Sequence, residues 1–319
     1  MYELATSVVG PPGERPPVTG ASLHDRVTVV VITYNRRAEL ERTLAKLEGL
    51  PECPPVVVVD NASSDGTADA VADAFPWVNL IRAGSNLGAV ARNVAVERIR
   101  TPFVAFCDDD TWWAPGALER AADALDAHPD VASVTARIIV EPAGGEDPIV
   151  AELRDSPVPA RPGLPGPALV SILAGASMLR TEAFRAVGGF SARLWLGGEE
   201  ELLCADLATA GWYLCYLDDI TVHHQPSPLR DRDLRRRHGI RNTLWFTWLR
   251  RPFGRALRRT FMLARTVPRD HVSLAGFAEA ATGLPWVLRN RAVLPDRVEA
   301  GFRLVEDSQL RTGSRRYVS

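Results

Sequence analysis

The sequence lacks any long hydrophobic run. No stretch approaches about 18 consecutive apolar residues, so we expect no membrane-spanning helix. The chain also does not start with a basic segment followed by an apolar one, the pattern typical of a secretory signal peptide. Its 319 residues, 46% of them hydrophobic, are enough for one large domain or two modest ones. Together these observations predict a cytoplasmic protein.

Cysteine is scarce, with four residues in the whole chain and no Cys-x-x-Cys spacing. That spacing is typical of structural zinc sites and redox-active pairs, so neither is predicted. The cysteines lie mostly in apolar stretches, and we expect buried free thiols in a reducing compartment. They are Cys53, Cys107, Cys204 and Cys215.

Lysine is almost absent, because Lys46 is the single lysine among 37 basic residues. The net charge of −2 gives the whole molecule no attraction to a polyanion, and we find no module that reads nucleic acid. The arginines, however, are unevenly placed. Between Leu229 and Arg265 there are twelve arginines against two aspartates, Asp231 and Asp233, which leaves ten positive charges in excess.

What the chain does contain is a repeated alternation of β-branched runs and helical periodicity from Val27 to Asp110. Four such repeats predict an α/β sheet built by right-handed crossovers. Ligands of these sheets bind beyond the carboxyl ends of the strands. Asp60 ends the second predicted strand and the triplet Asp108–Asp110 ends the fourth, so these acids mark the expected site.

Composition divides the chain into three parts. Residues 1–24 are rich in proline and glycine without periodicity, and are predicted to form a flexible arm. Residues 25–230 carry the strands and helices, interrupted by a proline-rich stretch at 141–167 that we interpret as a loop. Residues 231–319 show arginine-rich, aromatic helical patterns and are predicted to form a helical extension.

The acidic triplet raises a question of charge, because three adjacent carboxylates repel one another. Side chains two residues apart in an extended segment project to one side, so Asp108 and Asp110 are expected to converge while Asp109 faces away. Two convergent carboxylates suit Mg²⁺ or Mn²⁺, which would relieve the repulsion. The alternative is an acidic turn exposed to solvent.

Five motifs occur in order along the chain: "VVVITYNR", "VVVVDNASSDGT", "SNLGAVARN", "VAFCDDDTWW", and "GGFSARLWLGGEEELLCADLATAGW" with a later "VHH". Over residues 25–225 the chain therefore resembles family 2 glycosyltransferases. These are inverting enzymes of the GT-A fold, a Rossmann-like fold with a mixed sheet, and they use nucleotide-sugar donors. The resemblance implies that residues 25–230 form the catalytic domain, followed by the helical extension.

The resemblance also implies a donor site built from several of these motifs. Asp60 would hydrogen-bond the nucleobase, and a turn residue that caps a helix is the alternative. Arg92 would contact the donor or serve as a core salt-bridge partner. The implied nucleotide-binding residues are Thr33, Asn35, Asp60, Asn86, Gly88, Arg92, Asp108 and Asp109.

A divalent metal, Mg²⁺ or Mn²⁺, is implied by the same resemblance. Its ligands would be Asp108, Asp110 and a histidine after the last strand. The family pattern selects His224, with His223 as the alternative. The metal would neutralise the negative charge that builds on the leaving nucleoside diphosphate.

An inverting transfer needs a general base, which the family places in a Glu-Asp pair at the start of a helix. Here the pair is Glu199 and Glu200, so glutamate replaces the usual aspartate. The motif assigns Glu200 as the base and leaves Glu199 as the alternative. A helix N-terminus favours the ionised carboxylate that a base requires.

Two features keep alternative interpretations. Trp112, Trp113 and Trp195 could stack on a sugar or pack in the core. The arginine cluster could bind an anionic membrane surface, contact the diphosphate through Arg241, or form the solvated face of a packed helical region. We favour the last of these for most of the arginines.

The sequence thus predicts a metal-dependent, inverting glycosyltransferase that moves a sugar from a nucleoside-diphosphate sugar, with UDP slightly favoured, to a hydroxyl acceptor. The acceptor would be a cell-envelope glycan, a lipid-linked molecule or a small molecule. The enzyme would act in the cytoplasm or at the inner face of the membrane. The alternative functions are a non-catalytic relative that binds sugar nucleotides and a sugar-phosphate nucleotidyltransferase; the oligomeric state is left open.

Overall fold

The structure is a computed structural model that describes residues 22–227 and 231–312. Most of the arm expected over residues 1–24 lies outside the described residues. Leu23 and His24 instead begin a short helix, α1 (Leu23–Arg26). The guanidinium of Arg26 pairs with the carboxylates of Asp123 and Asp126 at 2.7 Å each, which fixes this helix against the domain that follows.

Four parallel strands form the first half of the sheet, as the repeats predicted. They are β1 (Val27–Thr33), β2 (Val56–Asp60), β3 (Asn79–Arg82) and β4 (Phe103–Asp108). The connecting helices are α2 (Arg37–Glu48), α3 (Thr67–Ala74) and α4 (Ala91–Val96), the last preceded by a 3₁₀ turn at Gly88–Val90. Because β2 is buried along its whole length, its valines follow one another without polar residues between them.

The second half of the sheet mixes strand directions. Its strands are β5 (Thr111–Trp113), β6 (Val131–Val140), β7 (Gly145–Glu146), β8 (Ser177–Arg180) and β9 (Tyr213–His224). The strand order is β3-β2-β1-β4-β8-β6-β9-β5, with β7 paired to β6. β8 is antiparallel to β4 and β6, whereas β9 is parallel to β6 and antiparallel to β5. This mixed sheet confirms the predicted α/β class.

Four helices and a turn accompany these strands in the described residues. They are α5 (Ala117–Ala127), α6 (Ile149–Arg154), a 3₁₀ turn at Ala174–Ala176, α7 (Thr181–Ala186) and α8 (Glu199–Thr209). The loop predicted for residues 141–167 is wrong in part, since it contains β7 and α6. The prolines concealed a short amphipathic helix. Val150 and Leu153 are buried, and the Asp147 carboxylate accepts a hydrogen bond from the backbone N–H of Ile149 at 3.0 Å.

The described residues after 231 form five helices. They are α9 (Arg232–Arg250), α10 (Phe253–Thr266), α11 (His271–Thr282), α12 (Leu284–Arg289) and α13 (Asp296–Thr312). These helices share a second hydrophobic core that includes Ile240, Phe246 and Phe302. Leu202 of α8 belongs to the same core, so the helical region packs directly on the sheet domain.

The main core is formed by the sheet and the helices packed on it. Cys107, Cys204 and Cys215 are buried there as free thiols, but Cys53 is exposed, so the predicted burial is wrong for that residue. Cys53 lies in a turn after α2 with a φ of +44°, outside any strand or helix. Within residues 22–227 and 231–312, no helix is both long and apolar enough to cross a membrane.

Candidate active site

The acids predicted on β2 and β4 lie at one edge of the sheet. Thr33 of β1 pairs with Asp60, and Ile32 pairs with Asp108, so β1 separates the two acids. Asp60 is 2% exposed, and its Oδ2 accepts a hydrogen bond from the backbone N–H of Ser63 at 3.0 Å. Its Oδ1 is buried without a partner in the described residues. A buried carboxylate oxygen is costly to leave unpaired, so this atom suits an N–H donor from a ligand.

Asn35 shapes the turn that follows β1. It has a φ of +51°, a left-handed conformation that asparagine tolerates. Its side-chain oxygen accepts a hydrogen bond from the backbone N–H of Ser64 at 2.7 Å, and its own N–H donates to Ser63 Oγ at 2.9 Å. Asn35 therefore ties the turn after β1 to the turn after β2, and its implied contact with the donor stays a prediction.

Three side chains hold the loop of residues 86–88. Asn86 Oδ1 accepts from the Gly88 N–H at 2.9 Å, and Asn61 Oδ1 accepts from the Leu87 N–H at 3.1 Å. The Trp195 indole N–H donates to the Asn86 carbonyl at 3.0 Å. Gly88 has a φ of +61°, and a Cβ there would collide with the Trp195 carbonyl oxygen, so glycine is required. Sequence reasoning missed Asn61, although it lies within the motif "VVVVDNASSDGT".

The acidic triplet is not an extended segment, because the chain turns at residues 109 and 110 between β4 and β5. The strand alternation that predicted convergence of Asp108 and Asp110 therefore does not apply. Asp108 forms a salt bridge with Arg92, whose side chain is 4% exposed and packs over the Phe106 ring. The structure thus shows the salt-bridge alternative for Arg92, and its contact with the donor stays a prediction.

Asp109 is buried rather than exposed to solvent, and Asp110 is too, so the solvated-turn alternative is wrong. The Asp109 carboxylate accepts from Thr33 Oγ1 and from Arg36 Nη1, both at 3.2 Å. Burial raises the pKa of Asp109 to about 7, although the positive charge of Arg36 opposes that shift. Arg36 also lies 3.6 Å from Asp110 Oδ2. We had not predicted a role for Arg36, the last residue of "VVVITYNR".

Asp110 and His224 are the predicted metal ligands that the structure brings together. His224 Nε2 lies 3.7 Å from Asp110 Oδ1, because Thr111 of β5 pairs with His224 of β9. The part of the chain that the structure describes has no group of three or more His, Cys, Asp or Glu side chains suited to a metal. Mg²⁺ is commonly held by one or two carboxylates while substrate phosphates and water fill the other positions. A site with two protein ligands is compatible with that chemistry.

His223 lies in a different environment from His224. Its ring stacks on Trp112 with centroids 5.5 Å apart, and its Nδ1 lies 2.9 Å from Glu141 Oε1. Trp112 is 8% exposed and Trp113 is fully buried, and both belong to the main core. Both also line a pocket together with His223 and Lys46, so their contact with a sugar stays a prediction. His224 is therefore the histidine near the acids.

Glu199 and Glu200 begin α8 directly after Gly198, which has a φ of +80°. Burial raises the pKa of both carboxyls, and the neighbouring charge of Glu199 helps to bring that of Glu200 to about 7. Burial thus outweighs the helix N-terminus, which was expected to favour the ionised form. Glu200 Oε1 accepts from the Ala174 N–H at 2.6 Å, whereas Glu199 Oε2 is buried without a hydrogen-bond partner in the described residues.

The 3₁₀ turn at Ala174–Ala176 lies between Glu200 and Asp108. Ala174 donates to Glu200, and the next residue, Gly175, lies so close to Asp108 that a Cβ there would be 2.8 Å from Oδ2. Thr111 Oγ1 accepts from the Asp108 N–H at 2.8 Å and donates to the Gly175 carbonyl at 2.9 Å. Sequence reasoning missed Gly175, for which a glycine inside a strand-like stretch was the available signal.

α9 supports the segment that leads into the two glutamates. Asn242 is fully buried, and its Nδ2 donates to the carbonyls of Leu194 at 2.8 Å and Leu196 at 3.0 Å. Arg241 donates to the Leu194 carbonyl at 3.0 Å and packs over the Trp245 ring at 4.8 Å. These contacts favour a packing role for Arg241 over the diphosphate contact considered from the sequence.

The sequence of this chain is similar to those of known proteins. Residues 28–188 match the family model described as glycosyl transferase family 2. The chain is 30% identical over 246 residues to an N-acetylglucosaminyl-diphospho-decaprenol L-rhamnosyltransferase of Mycobacterium tuberculosis, which covers 66% of this chain and 79% of the relative. It is 32% identical over 230 residues to a pre-mycofactocin glycosyltransferase of the same organism, which covers 68% of this chain but 46% of the relative.

Solved structures share the fold at lower identity. The mannosyltransferase PcManGT from Pyrobaculum calidifontis, in complex with GDP-Man and Mn²⁺, has a TM-score of 0.54 at 22% identity over 94% of this chain and 83% of its own. S. aureus TarS 1–349 in complex with UDP-GlcNAc also has a TM-score of 0.54, at 18% identity over 90% and 92% of the two chains. The fold is GT-A, as the motifs implied. The family match and the curated relatives together show that the chain belongs to glycosyl transferase family 2 and is a glycosyltransferase.

Proposed function

We propose that this glycosyltransferase moves a sugar from a nucleoside-diphosphate sugar to a hydroxyl acceptor, with inversion and with the help of a divalent metal. The observation that carries the proposal is the turn around Gly175. Glu200 bonds to Ala174, and Asp108 lies against Gly175, so the candidate base and an acid of the donor side contact adjacent residues. A single displacement needs the base and the donor held in this kind of close, fixed relation.

Glu200 would take the proton from the acceptor hydroxyl as attack proceeds. A pKa of about 7 leaves much of the carboxylate ionised at neutral pH while it remains basic enough to accept a proton. The Ala174 N–H fixes its Oε1, which leaves Oε2 to face the hydroxyl. Glu199 stays the alternative base, since its buried Oε2 also lacks a partner in the described residues.

The nucleotide would lie along the sheet edge from Asp60 to the loop of residues 86–88. The unpaired Oδ1 of Asp60 would accept the imide N–H of uracil, which supports UDP as the first nucleotide to test. Thr33, at the end of β1, pairs with Asp60 and donates a hydrogen bond to Asp109 in the turn after β4. We assign Thr33 and Asp109 to the ribose side of the donor.

A divalent cation fits the donor atoms of Asp110 and His224. A carboxylate oxygen and an imidazole nitrogen are ligands that Mn²⁺ accepts, and the oxygen suits Mg²⁺. When bound, the cation would neutralise the charge of the departing diphosphate. Asp108 would join this set only if its salt bridge with Arg92 opened.

For the acceptor we propose a lipid-linked glycan. The name of the mycobacterial rhamnosyltransferase specifies an N-acetylglucosaminyl-diphospho-decaprenol acceptor, and the match spans most of that relative. An acceptor of this kind would place the reaction in the cytoplasm at the inner face of the membrane. The sugar and the exact lipid are to be identified by assay.

The proposal is tested by screening nucleotide sugars for turnover with Mn²⁺, with Mg²⁺ and after chelation by EDTA. We expect one donor to be used, with inversion at the anomeric carbon by NMR, and activity to be lost on chelation. Asp110→Asn should lower turnover by about 100-fold or more, because the ligand charge is removed. The matched control is Asp219→Asn, an exposed acid in the same domain, which should keep wild-type activity. Retention of configuration, or metal-dependent turnover unchanged in Asp110→Asn, would contradict the proposal.

A further inference from the structure

The arginines of the C-terminal cluster fall into two groups according to their helix. On α9 and directly after it, arginines are paired with carboxylates of neighbouring elements. The pairs are Arg236 with Asp270, Arg237 and Arg241 with Glu279, Arg250 with Asp206, and Arg251 with Glu299. These arginines are largely neutralised inside the molecule and hold α9 in place.

α10 differs, because it carries four arginines and no acidic residue. Arg259 lies 3.7 Å from Glu306 of α13, but Arg255, Arg258 and Arg265 form no ion pair within the described residues. The acids that line the cleft between α10 and α13 are Glu306 and Asp307. Glu306 also pairs with Arg251, so the four arginines of α10 outnumber the acids available to them, and Arg258 and Arg265 are exposed.

The same helix exposes a row of large apolar side chains. Phe253, Leu257 and Phe261 are 67%, 55% and 54% exposed, and their spacing of four residues puts them on one face. Ala256 and Leu263 are buried, and Leu263 belongs to the second core. α10 therefore has a buried face, an exposed apolar stripe (Phe253, Leu257 and Phe261) and unpaired arginines beside that stripe.

The exposed side chains of α10 match an anionic lipid surface better than another protein copy. Two copies joined by a twofold axis through the apolar stripe would bring the arginines beside it close to those of the other copy, and these like charges would repel. A membrane surface offers an apolar layer for rings and negative phosphates for guanidinium groups in the same place. Arginine can also bury its methylene stem while keeping its charge at the phosphates.

We propose that α10 docks this protein on anionic membranes. The apolar stripe would enter the boundary between headgroups and acyl chains, with Arg258 and Arg265 on the lipid phosphates. This proposal rests on the proposed function, because docking on a membrane would bring the active site to a lipid-linked acceptor. Lipid binding is nevertheless measured without any turnover. Failure of one therefore does not imply failure of the other.

The test is flotation of the full chain with vesicles of phosphatidylcholine alone and with vesicles in which a third of the lipid is phosphatidylglycerol. Wild type should float with the anionic vesicles and stay unbound with the neutral ones. Arg258→Gln with Arg265→Gln should weaken partition by about 30-fold, the loss expected for two arginines near an anionic surface. Phe253→Ser, Leu257→Ser and Phe261→Ser together should abolish binding, including the fraction that survives high salt.

Controls and contrary outcomes are available within the same chain. Arg98→Gln with Arg100→Gln removes two exposed arginines of the sheet domain, and Trp77→Ser removes an exposed ring there; neither should change flotation. Equal binding to both vesicle types, or undiminished binding by the triple serine variant, would overturn the proposal. So would a wild-type dimer in sedimentation that the triple variant converts to monomer without any change in vesicle binding.

Discussion

The sheet domain (residues 22–227) and the helical region (residues 231–312) differ in which side chains lie in an unfavourable environment: buried carboxylates in the first and exposed apolar groups in the second. In the sheet domain, like-charged carboxylates are buried together, which raises the pKa values of Asp109 and Glu200 to about 7. In the helical region, large apolar side chains are exposed. Among eleven such side chains in the described residues, Tyr34 and Trp77 are the two that precede residue 231. Buried like-charged carboxylates are typical of sites of chemistry, whereas exposed apolar surface is typical of sites of docking.

The candidate active site depends on residues of both regions, as α9 shows. Asn242 and Arg241 lie beyond the boundary drawn at residue 230, yet they hold the carbonyls of the segment that leads into Glu199 and Glu200. The same segment carries Trp195, which bonds to the loop of residues 86–88. Through α9 the helical region therefore supports the candidate active site.

The strongest expected effect is that of Glu200→Gln in the sheet domain. The amide cannot accept the hydroxyl proton, so we expect kcat to fall by about 10²–10⁴-fold, the usual contribution of a general base. Steady-state kinetics with the donor found by screening measure this. Glu201→Gln, the next residue of the same helical turn, is the matched control and should keep kcat within about twofold. A larger loss in Glu199→Gln than in Glu200→Gln would transfer the role of base to Glu199.

The pH dependence sharpens the same assignment. Because Glu200 must be ionised to act, kcat/KM should rise with pH up to about 7 and then level off. The contribution of Glu200 to folding stability should instead decrease as pH rises. A carboxyl whose pKa is raised in the folded state binds its proton more tightly there, so its contribution is present at low pH and is lost as pH rises through about 7. Glu200→Gln should therefore unfold at a higher temperature than wild type at pH 8.

The next largest effect is on stability and lies in the helical region. Arg251 is 3% exposed at its side chain, and it bonds Glu299 at 2.9 Å and Glu306 at 2.7 Å on α13. Arg251→Met would leave the buried Glu299 without its partner and Glu306 with Arg259 alone, and we expect a loss of about 3–5 kcal/mol in the free energy of unfolding. Denaturant unfolding measures it.

The comparison variant for Arg251→Met is Arg258→Met, an exposed arginine of α10 without an ion pair in the described residues. It should change stability by no more than about 0.5 kcal/mol. Similar losses in both variants would show that the paired and unpaired arginines do not differ as the structure implies.

A smaller effect is expected where α9 reaches the site. Asn242→Leu keeps a side chain of similar size but replaces the polar amide with an apolar group, which removes the donors to Leu194 and Leu196. A displaced α8 would misplace Glu200, so kcat should fall by about 10–100-fold, whereas KM for the donor should rise by no more than about fivefold, through Trp195 and the loop of residues 86–88. Asn290→Leu, an exposed asparagine at the end of α12, is the control. If KM rose and kcat did not, Asn242 would act on the donor rather than on the base.

The sequence allowed the first four strands and the acids at their ends to be predicted, because these follow from local periodicity and from the rule that parallel strands share a carboxyl edge. Asp60 and Asp108 are of this kind. The proximity of His224 to Asp110 was implied by resemblance alone, since it depends on the register of β5 with β9, which are more than a hundred residues apart in the chain. The pairing of β5 with β9 cannot be predicted from local sequence patterns.

Other parts of the site depend on tertiary contacts that leave weak traces in the sequence. Gly175 is required because it lies against Asp108, and Asn242 matters because α9 crosses the segment before α8. The amphipathic pattern of α10 was visible as a spacing of four residues, but which arginines are neutralised depends on acids such as Glu279 and Asp206 from other elements. Burial likewise decided the pKa of Glu200 against the expectation from its helix position.

The smallest effect tests one indole hydrogen bond in each region. Trp195→Phe removes the N–H that holds the Asn86 carbonyl but keeps a ring next to His238, which lies 5.1 Å away. The loss of one hydrogen bond, about 1 kcal/mol, should raise KM for the donor by about fivefold with kcat unchanged, because the loop of residues 86–88 faces the donor side and not the base. Trp248→Phe removes an equivalent bond to Thr260, at 3.0 Å between α9 and α10, and should lower stability without changing KM. Equal kinetic effects from the two variants would mean that Trp195 acts through general stability. The proposal that Trp195 positions the loop of residues 86–88 for the donor would then be wrong.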